Sequence, residues 1–241
     1  MESSSHGGLR TSRRPIVISF SGIDGAGKTT QIDNLIDWLR ALGMRVDVVR
    51  FWDDVSLITG LRESLGHLLF RGERGVGARD KPVRRRDKDV RAWYMTPIRI
   101  FLCSMDALGT ARAVARAHAR QDADVIIFDR YIYDQLANLD LDNWLPRSYL
   151  RGVLRLIPDP DVAYVIDAIP AQARERKPEY PLNFLELNRA RYLALSRLAG
   201  LIVIPPGTAE QVEAEIRTHA VKKLALLQSE PAPSFLTNTS L

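Results

Sequence analysis

One cysteine, Cys103, stands in 241 residues. A disulfide framework is thereby excluded, and a reducing compartment, the cytoplasm, is the expected location. No stretch approaches the roughly 18 consecutive apolar residues that span a bilayer. The opening residues Met1-Glu2-Ser3-Ser4-Ser5-His6-Gly7-Gly8 lack the apolar centre of a secretory signal. Residues 1–14 read as a disordered leader and residues 229–241, with Pro231 and Pro233, as a flexible tail. His6, His67, His118 and His219 are too scattered to suggest a metal cluster, and no internal repeat is visible. The net charge is +5, with basic residues gathered over 71–91 and including Arg84-Arg85-Arg86. No aromatics interleave with these arginines, and Glu73, Asp80, Asp87 and Asp89 dilute them. The segment reads as a solvated connector that attracts anionic substrate, not as a nucleic-acid surface.

What is present points elsewhere. A hydrophobic content of 46% suits one α/β domain over residues 15–228. Within it, Gly22-Ile23-Asp24-Gly25-Ala26-Gly27-Lys28-Thr29, followed by Thr30, meets every fixed position of the phosphate-binding pattern G-x-x-x-x-G-K-[ST]. Ile16 to Ser21 before it is a β-branched run suited to a buried strand, and Ile32, Leu35, Ile36 and Leu39 after it recur at helical spacing. Strand, glycine loop and helix in this order make an anion cradle: glycines let the backbone curl its N–H groups inward, and the helix start adds its positive end. Lys28 is expected to reach the β- and γ-phosphates of a nucleoside triphosphate, and the Thr29 hydroxyl to ligate Mg²⁺.

Four more strands follow in pattern, at 45–50, 125–129, 162–167 and 201–204. Helical spacing is expected over 57–70, 89–120 (with Pro97 a kink or a new start), 147–157, 182–198 and 208–227. Alternation of this kind predicts an α/β fold with a five-stranded parallel sheet, helices on both faces and ligands beyond the carboxyl ends of the strands. Asp129 ends an apolar strand at such a position, where a carboxylate can hold Mg²⁺. Arg130 beside it offers a planar fork of donors to a transferring phosphate.

Taken together, Phe20 to Gln31, Arg50-Phe51, Asp129-Arg130-Tyr131, Asp161 to Pro170 and Phe184 to Leu193 resemble, in consistent order over residues 16–204, the thymidylate kinases. The resemblance implies the P-loop NTPase fold of nucleoside monophosphate kinases, with ATP and Mg²⁺ as cofactors, a nucleotide substrate such as dTMP, and a homodimer that residues 90–120 can mediate. It implies that Asp24 contacts the acceptor's sugar or phosphate, beside the plainer reading of a turn-capping Asp. By the same likeness Arg50 and Phe51 serve the acceptor phosphate, Tyr131 and Asp134 complete the acceptor side, and Arg174, Arg176 and Lys177 form a short lid at about 171–181. Position 25 is Gly where one branch of the family carries arginine, which puts the cationic work on that lid.

The segment where the family reads the base departs from its pattern. In Ile100-Phe101-Leu102-Cys103-Ser104-Met105-Asp106-Ala107-Leu108, one register places Cys103 as stacker and Ala107 at the family's arginine. A shift of two recovers Phe101 as stacker with Met105 as its partner. Ser21 stands where a glutamate is common, and Ile132-Tyr133-Asp134 replaces the usual continuation after Tyr131. Two alternatives therefore stay open: a divergent kinase for another nucleotide, nucleoside or small acceptor, and an ATP-binding sensor with little turnover.

Overall fold

The computed structural model describes residues 14–55, 95–139 and 144–229. The helix expected over 57–70, the basic segment 71–91, most of the leader and nearly all of the tail fall outside them. Arg14, assigned to the leader, is instead tied to the domain: its guanidinium donates to Asp161 at 2.9 Å and meets His118 Nε2 at 2.7 Å.

Five strands form, β1 (Ile16–Ser21), β2 (Val46–Arg50), β3 (Val125–Asp129), β4 (Val162–Ile166) and β5 (Ile202–Ile204). All pair in parallel in the order β2-β3-β1-β4-β5. The central strands β1, β3 and β4 are the most buried, being covered on both faces. Val17, Phe20, Ile126, Ile127, Phe128 and Tyr164 are fully buried.

The helices are α1 (Lys28–Ala41), α2 (Met95–Ala119), α3 (Ile132–Leu136), α4 (Trp144–Leu156), α5 (Pro170–Arg176), α6 (Leu182–Ala199) and α7 (Ala209–Ser229), with a π-helical turn at Phe51–Val55 after β2. Pro97 lies within the described part of α2, which runs from Met95. Helix α4 already includes Trp144, ahead of the apolar pattern expected from 147, and Pro146 is buried within it. Right-handed crossovers decide the layers. Moving from β1 out to β2 puts α1 on one face. Moving back from β2 to β3, and then from β3 to β4 and β5, puts α2 to α6 on the other. Accordingly α1 packs on α7, whereas α2 packs on α3 and α4, and α6 on α3 and α5.

This order creates a crevice. The chain leaves β1 toward β2 but leaves the neighbouring β3 toward β4, so the two following loops part company over the carboxyl ends of the strands. Pairing registers put Arg50, Asp129 and Phe20 at one level along that edge.

Candidate active site

The loop after β1 is shaped by glycines that no other residue replaces without strain. Gly22 has φ +139° and passes so close to β4 that a Cβ would lie 2.5 Å from the Ile166 carbonyl oxygen. Gly25, at φ +82°, supports the backbone of α5: a Cβ there would sit 2.9 Å from the carbonyl carbon of Ala173 and nearer still to its oxygen. Gly27 caps α1 in the left-handed conformation and supplies no side-chain cap, which leaves the first-turn N–H groups of α1 for an anion. Space above Gly27 opens toward Arg176, whose Nη1 would be 3.7 Å from an added Cβ. Ile23 and Ala26 are buried and hold the loop to the core.

Lys28 is buried, and its Nζ donates to the carbonyls of Gly22 at 2.8 Å and Ile23 at 2.9 Å. Burial first, and then the charge of Arg130, push its pKa down to about 8, against the opposing pull of Asp134, Asp24 and Asp129. Thr29 and Thr30 are exposed at the start of α1.

Across the crevice, Arg130 takes φ +72°, the one positive φ outside glycine among the described residues. Its N–H donates to the carbonyl of Phe20 at 3.0 Å. Its guanidinium is shared between two carboxylates, Nη2 to Asp24 Oδ1 at 2.5 Å and Nη1 to Asp134 Oδ1 at 3.0 Å. Burial disfavours its charge, but Asp134 and Asp24 outweigh this and raise its pKa above the ordinary arginine value. Asp24, Lys28, Asp129 and Arg130 thus come together. Asp134 belongs to the same cluster, but it is buried and also accepts from Ser21 Oγ at 2.7 Å and Tyr192 Oη at 2.8 Å.

Other expected residues go elsewhere. Tyr131 does not face an acceptor: it is buried edge-on to Phe128 with its hydroxyl donating to the Pro158 carbonyl at 2.5 Å, which makes it a core anchor. Burial raises its pKa, with Tyr133 and Asp159 adding to the effect. Phe51 is likewise part of the core, while Arg50 beside it is exposed at the end of β2, level with Asp129.

Phe101 is 56% exposed. The buried stripe of α2 runs through Cys103, Asp106, Thr110, Ala113, Val114 and Ala117, at helical spacing, and Phe101 lies roughly opposite it. Phe101 thus stands off the buried stripe, and Cys103 is the residue turned inward.

Arg174 and Arg176 lie on α5, which rests on the loop at Gly25. A pair that sequence reasoning missed steadies this region. Arg189 on α6 donates through Nε and Nη2 to Asp167, each at 2.7 Å, just beyond β4. Tyr192 was also missed. A strand-end acid such as Asp167 was the one available signal for the first, and nothing local marks the second. Among the described residues no group of three or more His, Cys, Asp or Glu is placed to hold a metal, and no helix is long and apolar enough to cross a membrane.

Sheet order, loop and crevice define an α/β protein with a five-stranded parallel sheet and a glycine-rich loop at its switch point. No family model matches the chain. It is 26% identical over 166 residues to the thymidylate kinase of Bifidobacterium longum (strain NCC 2705), covering 67% of this chain and 70% of that protein. It is also 26% identical over 189 residues to a thymidylate kinase of Leptospira interrogans, covering 77% and 78% of the two chains. With a probable thymidylate kinase of Sulfurisphaera tokodaii the identity is 24% over 211 residues, 79% and 87% of the chains. A crystal structure of thymidylate kinase from Ehrlichia chaffeensis shares the fold, with a TM-score of 0.52 and 20% identity over 86% of this chain and 99% of that one. The chain is similar in sequence to these thymidylate kinases and shares the fold of one of them.

Proposed function

We propose that this chain transfers the γ-phosphate of ATP to a nucleoside monophosphate, dTMP before others. The observation that carries the reading is the meeting of Lys28, Asp24, Asp129 and Arg130 in one crevice, with α5 and its arginines seated on the phosphate loop. The relatives' names supply the acceptor.

In this reading the free N–H groups at the start of α1 and the Lys28 ammonium hold the β- and γ-phosphates. An acceptor phosphate oxygen bonds to the γ-phosphorus as the bond to the β–γ bridging oxygen breaks, and ADP departs. Arg130 meets the charge on the transferring group with a fork already oriented by two carboxylates. Asp24 orients the acceptor, and Arg50, exposed at the same edge, binds its phosphate. Arg174 and Arg176 close over the nucleotide from α5. The Thr29 hydroxyl and the Asp129 carboxylate are oxygen donors of the kind Mg²⁺ takes, and they would hold the ion that offsets phosphate charge. Phe101 and Leu108, exposed on the outer face of α2, support a homodimer through that helix, and the cytoplasm is its expected site of action.

A second reading has its own observation. Ala107 stands where the family places a base-binding arginine, and Cys103 is what α2 turns inward. A polar base edge lacking its donor would lose about 1–3 kcal/mol, which favours another acceptor. Measuring ADP release over a panel of monophosphates and nucleosides decides the matter. Turnover with dTMP is expected; turnover only elsewhere selects the second reading, and tight ATP binding without turnover refutes both.

A further inference from the structure

We propose that Asp134 is a positioning residue for Arg130, and that Tyr192 ties that position to α6, the helix that follows the α5 arginines. The inference rests on the kinase reading and adds residues to its machinery.

Arg130 reaches the crevice on a long side chain, and its backbone bond to Phe20 fixes only where that chain begins. The orientation of the fork must come from its own partners. These partners differ in kind. Asp24 sits on the loop at the site itself, so whatever binds there competes with it for Nη2. Asp134 is set behind, 3% exposed at its side chain, and holds Nη1.

The surroundings of Asp134 show how firmly it is set. Oδ1 accepts from Arg130 Nη1 at 3.0 Å and Tyr192 Oη at 2.8 Å. Oδ2 accepts from Ser21 Oγ at 2.7 Å and from the Tyr131 N–H at 3.3 Å. Four donors use the acceptor capacity of one carboxylate. Asp134 therefore has no lone pair left for a substrate, and its influence passes through Arg130. Its donors come from β1, from the turn after β3 and from α6, so it fixes Arg130 against the strand that enters the phosphate loop. Tyr192 is buried, and burial raises its pKa well above the ordinary tyrosine value, with Asp134 beside it adding to the shift. It stays a neutral donor at any working pH. Its bond joins the anchored arm of Arg130 to α6, and α6 in turn holds the start of the α5 segment through the pair of Arg189 with Asp167.

The test is a set of double-mutant cycles with Arg130→Lys, using ADP release as readout. Outer partners of functional groups cost about 10–100-fold when removed. Asp134→Asn is expected near the upper end and Tyr192→Phe about tenfold, both in kcat, with the KM for ATP within about twofold. In the Arg130→Lys background both losses should vanish, because the group they position is gone. Tyr192→Phe preserves the ring and carries the test alone if Asp134→Asn does not fold. Losses that multiply with Arg130→Lys, or a Tyr192→Phe protein with unchanged kcat, overturn the proposal while leaving the kinase reading intact. Failure of the unchanged chain to turn over any acceptor overturns both.

Discussion

Replacing Gly25 by alanine separates two costs that usually arrive together. At φ +82° an alanine pays the left-handed penalty, about 1–2 kcal/mol. It also drives a methyl group into the backbone of Ala173. Backbone cannot rotate aside like a side chain, so α5 must move off the loop by something like 1 Å. Overpacking of this kind costs about 1–3 kcal/mol. Gly43, which closes α1 through a bond from its N–H to Arg40, has φ +79° and nothing within 4 Å of its missing Cβ. Gly43→Ala therefore pays the first cost alone. Urea unfolding should show Gly25→Ala losing more stability than Gly43→Ala, by about the overpacking term. The larger difference should lie in turnover. A displacement near 1 Å can cost about a hundredfold in rate, and here it carries Arg174 and Arg176 away from the nucleotide. Gly43→Ala should turn over normally. If the two variants match in both turnover and stability, α5 does not depend on the loop and the lid role of its arginines fails.

The free amine of Lys28 loses its proton near pH 8, whereas a bound triphosphate favours the charged form. ATP affinity should consequently fall about tenfold between pH 7 and pH 9, with proton uptake on binding at pH 9. Calorimetry in buffers of different ionisation enthalpy reads the uptake, and Lys28→Arg, which stays charged, should abolish it. Asp161 lies at the opposite end of the strands, where it accepts from the Val17 N–H at 2.9 Å and from Arg14. Asp161→Ala should cost about 2 kcal/mol in urea unfolding and leave kcat unchanged; a parallel loss of turnover would contradict its purely structural placing. Phe101→Ala should leave the acceptor KM unchanged, since the ring points away from the buried stripe of α2. A tenfold rise in that KM would restore the stacking role that its exposure argues against.

Much of this protein is local physics and was legible without coordinates. The glycines of the phosphate loop, the β-branched run before it and the apolar stripe after it are neighbours in the chain, and each follows from backbone freedom or periodicity. The same holds for β3 ending in Asp129 and for the five parallel strands. Even the outward turn of Phe101 was available, because Cys103, Asp106 and Thr110 mark the buried face by their spacing. What the tertiary structure alone decided is which distant groups meet. Ser21 and Asp134, two departures from the family pattern, are bonded to each other across 113 positions, and Tyr192 joins them from 58 positions further on. Tyr131, next to Arg130 in sequence, turns into the core toward Pro158. Helical and strand periods record which face a residue occupies, but a hydrogen bond between separate elements leaves no period behind. Only the order β2-β3-β1-β4-β5 brings those elements to one edge, and with it the two carboxylates that hold Arg130.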